Sequence, residues 1–166
     1  MNKQENRQTL LNWLKGAYMM EKSLVSVLDK QAEHAKGYQE LQTRLREHKN
    51  ESQRHADLVK SCIERHGGSV SDLRAEVMKL ISKAQTQMLG VFDEQVIKDT
   101  VLSSASEELE ISTYKAIIKL AESLEDDETV KICQEILEEE EQMLKFLNEN
   151  LENVVEATYF GEVRPQ

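Results

Sequence analysis

The chain has 166 residues, enough for one domain with a sizeable core, and a formal net charge of −10. That acidic balance, with no Lys/Arg cluster to interrupt it, argues against nucleic acid as a partner. Six Gly, a single Pro and 5% aromatic residues, set against abundant Leu, Glu, Lys, Gln and Ala, make the expected class all-α.

The first helix is expected over residues 8–34, with Leu10, Leu14, Ala17, Glu21, Leu24 and Leu28 on one face. Gly16 interrupts it at a cost of about 1 kcal/mol against alanine and suggests close helix packing. Ala35-Lys36-Gly37 is the expected turn into a second helix over 38–66, whose inward stripe reads Leu41, Leu45, His48, Glu51, His55, Leu58, Cys62. Gly67-Gly68 stops it. Ser69-x-x-Asp72 has the form of a capping box and opens a shorter amphipathic segment over 70–89, with Leu73, Val77, Leu80, Ile81 and Ala84. Asp93 caps a third helix over 94–123 bearing Ser103, Glu107, Glu110, Tyr114, Ile117 and Ala121. The run 124–127 turns into a fourth helix over 128–156, with Cys133, Ile136, Glu140, Met143, Leu147 and Leu151 inward. The tail from Thr158 has no periodicity and is expected to fray or pack loosely.

Hairpin, long connection, hairpin is the order of a ferritin-like antiparallel four-helix bundle with one crossover carrying an extra helix. No run of about 18 apolar residues and no apolar N-terminal core appear, so the expectation is one cytoplasmic domain over 1–166 without membrane contact. Cys62 and Cys133 lie mid-helix on apolar faces; buried free thiols are favoured there over a disulfide or a ligand pair.

Each helix thus places a glutamate where an apolar core residue belongs. A lone buried carboxylate loses several kcal/mol of hydration, so a convergent set with imidazoles signals a cation. In both hairpins the glutamates, Glu21 with Glu51 and Glu110 with Glu140, are equidistant from the turn and are expected at one height in mid-bundle. The candidate ligands are Glu21, His48, Glu51, His55, Glu107, Glu110 and Glu140. They would serve two divalent ions, iron first and manganese or zinc as alternatives, since oxygen and imidazole donors without a thiolate cluster suit those metals. Spacing alone does not choose between His48 and His55. Glu138 and Glu141 are read as a solvated face, with Glu139 less clearly inward. His34 and His66 fall at helix ends, where capping is the expected role. Tyr18 and Tyr114 either pack or hydrogen-bond a ligand.

The runs Ala17-Tyr18-Met19-Met20-Glu21-Lys22, His48-Lys49-Asn50-Glu51, Glu107-Glu108-Leu109-Glu110-Ile111 and Glu138-Glu139-Glu140 resemble those of the YciE/YciF family of bacterial ferritin-like proteins, closest to the YciE type, from about residue 9 to 155. The pair Glu107-x-x-Glu110 ahead of Glu140 is also similar to the diiron pattern of rubrerythrins, although Met143 stands where a fourth-helix histidine is expected. The resemblance implies a homodimer, a di-metal centre and a stress-associated role. A redox reading, Fe(II) oxidation or consumption of O2 or peroxide at a centre bridged by Glu51 and Glu140, requires an external electron donor, since no CxxC module is present. Metal binding or storage without catalysis, and a structural or interaction role, are the alternatives. Apolar residues outside the inward stripe (Leu11, Trp13, Tyr18, Val25, Leu102, Ile111, Ile118) favour a homodimer independently.

Overall fold

A computed structural model describes residues 2–71, 73 and 92–161. Among them are four helices: α1 (Lys3–His34), α2 (Gln39–Arg65), α3 (Gln95–Ser123) and α4 (Asp127–Phe160). The expected crossover helix over 70–89, with Val77, Leu80, Ile81 and Ala84, lies almost wholly outside the described residues. None of the described helices is long and apolar enough to cross a membrane.

Local chemistry sets the helix ends. α1 begins five residues before the expected start because Asn2 caps it. The Asn2 side chain accepts from the Gln4 and Glu5 amides while Glu5 reaches back to the Asn2 amide. Gly37 (φ 103°) allows the tight return into α2. Gly67 (φ 74°) ends α2, and the Gly68 amide closes on Ile63 O at 2.9 Å. A Cβ on Gly68 would come within 2.6 Å of Leu11 Cδ1, so the backbone itself seals this end against α1. The α3–α4 turn makes the same closure with a non-glycine residue: Glu125 sits at φ 61° and the Asp126 amide bonds Ala121 O. Asp126 then caps α4 through the Thr129 amide. α4 runs on to Phe160 and ends at the left-handed Gly161, so residues 158–160 are helical rather than loose.

All neighbouring helices run antiparallel. The end of α1 meets the start of α3 through His34 and Asp99 (2.6 Å), and the end of α2 meets the start of α4 through His66 and Asp126 (2.7 Å). At the opposite end Tyr38 of α2 bonds Thr158 of α4. Two apolar clusters fill the bundle. One holds Leu10, Leu14, Val59, Cys62, Tyr114, Ile117 and Ile136; the other holds Leu24, Leu28, Leu45, Ile97, Met143 and Leu147. Between them lies a layer of buried acids and imidazoles. Gly16 departs from its expectation, since a Cβ there would meet nothing within 4 Å and no close helix approach requires it. Ile111 and Ile118 are buried within the chain, whereas Trp13 and Leu109 stay exposed.

Candidate metal centre

The layer is built from one residue on α1, two on α2, two on α3 and one on α4. Glu21, His48, His55, Glu107, Glu110 and Glu140 are all fully buried. Their atoms fall into two groups that share Glu140. His48, Glu107, Glu110 and Glu140 offer ligand atoms within 4.8 Å of one another, and so do Glu21, His55 and Glu140. His48 Nε2 lies 3.2 Å from Glu107 Oε1 and 3.5 Å from Glu140 Oε2. His55 Nδ1 lies 2.8 Å from Glu140 Oε1 and 3.7 Å from Glu21 Oε1.

The outer nitrogen of each imidazole is held by a half-exposed glutamate that is itself held by an arginine. His48 Nδ1 is 3.0 Å from Glu51 Oε2, which accepts from Arg44 Nη1 at 2.9 Å. His55 Nε2 is 2.8 Å from Glu139 Oε2, and Arg54 Nη2 donates to both Glu139 oxygens. Each dyad fixes its ring so that the other nitrogen points into the layer, the arrangement by which carboxylates orient metal-binding imidazoles.

Glu51 is the one sequence-predicted site residue that the fold leaves out of both groups. The step of three or four from His48 is resolved in favour of Ser52, which is buried, while Glu51 is 29% exposed and turned to Arg44. Side-chain direction explains the mispairing. Helical side chains lean toward their own N-terminus, which in α1 is away from the 35–38 turn and in α2 is toward it. An α1 residue therefore meets an α2 residue farther from the turn than itself. Lys22 pairs with Gln53, Asp29 with Lys49 and Glu33 with Arg46. By the same offset Glu21 meets His55 rather than Glu51.

Three residues outside the expected set support the layer: Glu139, which holds His55, and Arg44 and Arg54, which hold Glu51 and Glu139. The signal was present, since Arg44 precedes Glu51 by two turns and Arg54 stands opposite Glu139 in the α2–α4 register. Glu138 and Glu141 are exposed, and Glu141 pairs with Lys115. His34 and His66 hold Asp99 and Asp126 at the helix ends. Tyr114 Oη donates to Glu21 Oε1 at 2.5 Å, which leaves Glu21 Oε2 free, whereas Tyr18 packs against the core.

The electrostatics are those of crowded, buried carboxyls among imidazoles. Burial pushes the Glu110 carboxyl well up, with the Glu21 and Glu140 charges adding to it; burial also raises Glu21. Burial pushes Glu140 up to about 7 although His55 pulls it down. The imidazoles respond oppositely. Burial disfavours their charge, but the adjacent carboxylates of Glu107 and Glu51 lift His48 to about 10, and those of Glu140 and Glu21 lift His55 to about 10. Glu51, despite its burial, is held down to about 2 by His48 and Arg44.

Nine buried side-chain atoms of this layer make no well-aligned hydrogen bond: Glu21 Oε2, His48 Nε2, His55 Nδ1 and both oxygens of Glu107, Glu110 and Glu140, although the two imidazole nitrogens lie 3.2 Å from Glu107 Oε1 and 2.8 Å from Glu140 Oε1. Unpartnered buried polar atoms are rare in native proteins and each costs about 1–3 kcal/mol, more when charged. Four carboxylates balance two divalent cations, and oxygen with imidazole nitrogen is a donor set for iron, manganese or zinc. The residues fit a di-metal site.

Relatives agree with this architecture. A protein of Xanthomonas campestris pv. campestris superposes with a TM-score of 0.79 at 31% identity, covering 92% of this chain and 94% of that one. The Desulfovibrio desulfuricans bacterioferritin, whose structure describes a diiron site in different catalytic states, gives 0.74 at 19% identity over 100% and 92%. The bacterioferritin-related protein of Bacteroides fragilis, a dodecameric thioferritin, gives 0.77 at 20% over 92% and 89%. The fold is therefore that of the bacterioferritin-like four-helix bundles. A family model described as a domain of unknown function, DUF892, matches residues 5–159, and the chain belongs to that family.

Proposed function

We propose that this chain binds two divalent metal ions, iron foremost, in the mid-bundle layer and uses them to oxidise Fe(II) or consume O2 or peroxide. The observation that carries the reading is the set of nine buried ligand-type atoms, on four acids and two imidazoles, that converge without a well-aligned hydrogen bond. His48, Glu107, Glu110 and Glu140 would hold one ion, and Glu21, His55 and Glu140 the other. The fold shared with a bacterioferritin that carries a diiron site supports the same assignment.

A pair of bound iron ions supplies one-electron chemistry toward O2 or peroxide. The chain's own residues prepare it. Glu140 belongs to both donor groups, so it would be shared between the two ions. Glu51 and Glu139 orient His48 and His55 and stabilise the rings from outside. Tyr114 fixes one oxygen of Glu21 and leaves the other unbonded, so that it would be available to an ion. Apolar plugs above and below, Met143 and Leu24 on one side, Ile136 and Ile117 on the other, keep bulk water from the layer.

The resemblance to the YciE/YciF family extends this proposal to a cytoplasmic, stress-associated homodimer, with exposed Trp13 and Leu109 as apolar surface for a second copy. Anaerobic loading with Fe(II) followed by O2 or peroxide tests the chemistry. Two irons oxidised per chain, faster than in buffer, are expected. Stoichiometric binding with oxidation at the buffer rate would replace this reading by metal binding without catalysis.

A further inference from the structure

The two cysteines occupy one rung of the α2–α4 seam. Its antiparallel register is fixed by His55 against Glu140, Arg54 against Glu139 and Arg65 against Thr129. Seven residues beyond His55 is Cys62, and seven residues before Glu140 is Cys133, so the two cysteines share one level of the seam, two turns from the candidate metal ligands. At ~1.5 Å per residue that is roughly 10 Å along the axis. Val59 and Ile136 fill the intervening turn. Both cysteines are free and fully buried in one apolar cluster, which also contains Tyr114, the residue bonded to Glu21. They are near enough that charge on Cys62 adds to the burial that raises the Cys133 thiol.

Buried thiols off a redox site are inert hydrophobes; a pair beside one has a use. Cys62 and Cys133 are the only thiols of the 166 residues. We propose that Cys62 and Cys133 form an internal two-electron donor to the metal layer, cycling between dithiol and disulfide. This rests on the redox reading above. Peroxide takes two electrons and two protons to give two waters, leaving two ferric ions. Oxidation of the two thiols to one disulfide returns two electrons, restores two ferrous ions and releases two protons. The far side of the rung is polar: Arg65 donates to Thr129 and Asp126, and His66 also pairs with Asp126. That half-exposed cluster offers an external thiol reductant a route to the disulfide.

The test loads full-length protein anaerobically with two Fe(II) per chain and adds peroxide in two successive equivalents. Free thiols are titrated after denaturation, intact mass is recorded, and ferrous iron is measured with a chelating dye. In the wild type the thiol titre should fall by two per chain, with loss of two hydrogens and recovery of Fe(II) after the first equivalent. Cys62→Ser and Cys133→Ser proteins that still bind two Mn(II) should stop with ferric iron after one equivalent. Iron oxidation with an unchanged thiol titre in the wild type would overturn this inference alone. No iron oxidation in any of the proteins would overturn it together with the redox reading.

Discussion

Replacing Glu140 by glutamine changes one charge and almost no volume, yet it reaches both donor groups. In metal-free protein the consequence is mild. Glu140 is raised to about 7 from an ordinary 4.5, so its ionisation at pH 8 costs the fold about 3 kcal/mol by linkage. A raised carboxyl brings no penalty below its unfolded value and the full one above its folded value. Glutamine removes this cost but also the 2.8 Å ion pair with His55. Metal-free Glu140→Gln should therefore lose no more than about 1 kcal/mol and can gain. With metal the order reverses. A site at one hundred times its Kd stabilises by about 2.7 kcal/mol, so two sites contribute roughly 5 kcal/mol, which the variant forfeits. At about 2–4 °C per kcal/mol for a domain of this size, the wild type should rise by roughly 10–20 °C on adding Mn(II). Scanning calorimetry of chelator-treated and Mn(II)-loaded samples at pH 8 reads both arms. A variant equally destabilised with and without metal would mark Glu140 as an ordinary core residue and refute the reasoning.

Metal binding at pH 7.5 should release at least two protons, because His48 and His55, lifted to about 10 in metal-free protein, must become neutral to ligate, and the raised Glu110 carboxyl adds to the count; calorimetry in buffers of different ionisation enthalpy gives the number, and zero release would count against both imidazoles as ligands. The same raised values mean that the two imidazoles stabilise metal-free protein fully below about 6.5 and that this contribution fades as pH rises through about 10, which pH-dependent denaturation measures. Glu139→Gln and Glu51→Gln should each weaken metal affinity about 10–100-fold, whereas Glu141→Gln, which touches only the surface Lys115, should leave it unchanged. Gly16→Ala should raise stability by about 1 kcal/mol, since its Cβ has open space. Glu125→Gly should stabilise by relieving the φ of 61°. Urea unfolding of these two variants checks both.

The four helices were legible because Leu, Ala and Ile recur at steps of three and four, and because Gly37, Gly67 and Asp126 mark the turns. The capping box Asn2-x-x-Glu5 lies ahead of the first apolar stripe residue, so the apolar periodicity alone starts α1 too late. The centre's composition followed from glutamates on apolar stripes, but the pairing in the first hairpin did not. Equal distance from a turn aligns Cα atoms, whereas ligand atoms lie a turn nearer the N-terminus of each helix, and that offset exchanges Glu51 for His55 opposite Glu21. Periodicity is also indifferent between Glu51 and Ser52 after His48. Only the α2–α4 packing, with Arg44 and Arg54 drawing Glu51 and Glu139 outward, decides which residues line the layer.

Anomalous diffraction from crystals grown with Fe(II) or Mn(II) tests the central claim most directly. Two ions roughly 4 Å apart are expected, one ligated by His48, Glu107, Glu110 and Glu140 and the other by Glu21, His55 and Glu140, with Glu51 bound only to His48 and Arg44. A metal signal confined to the exposed acidic faces, or none within the bundle, would contradict the account.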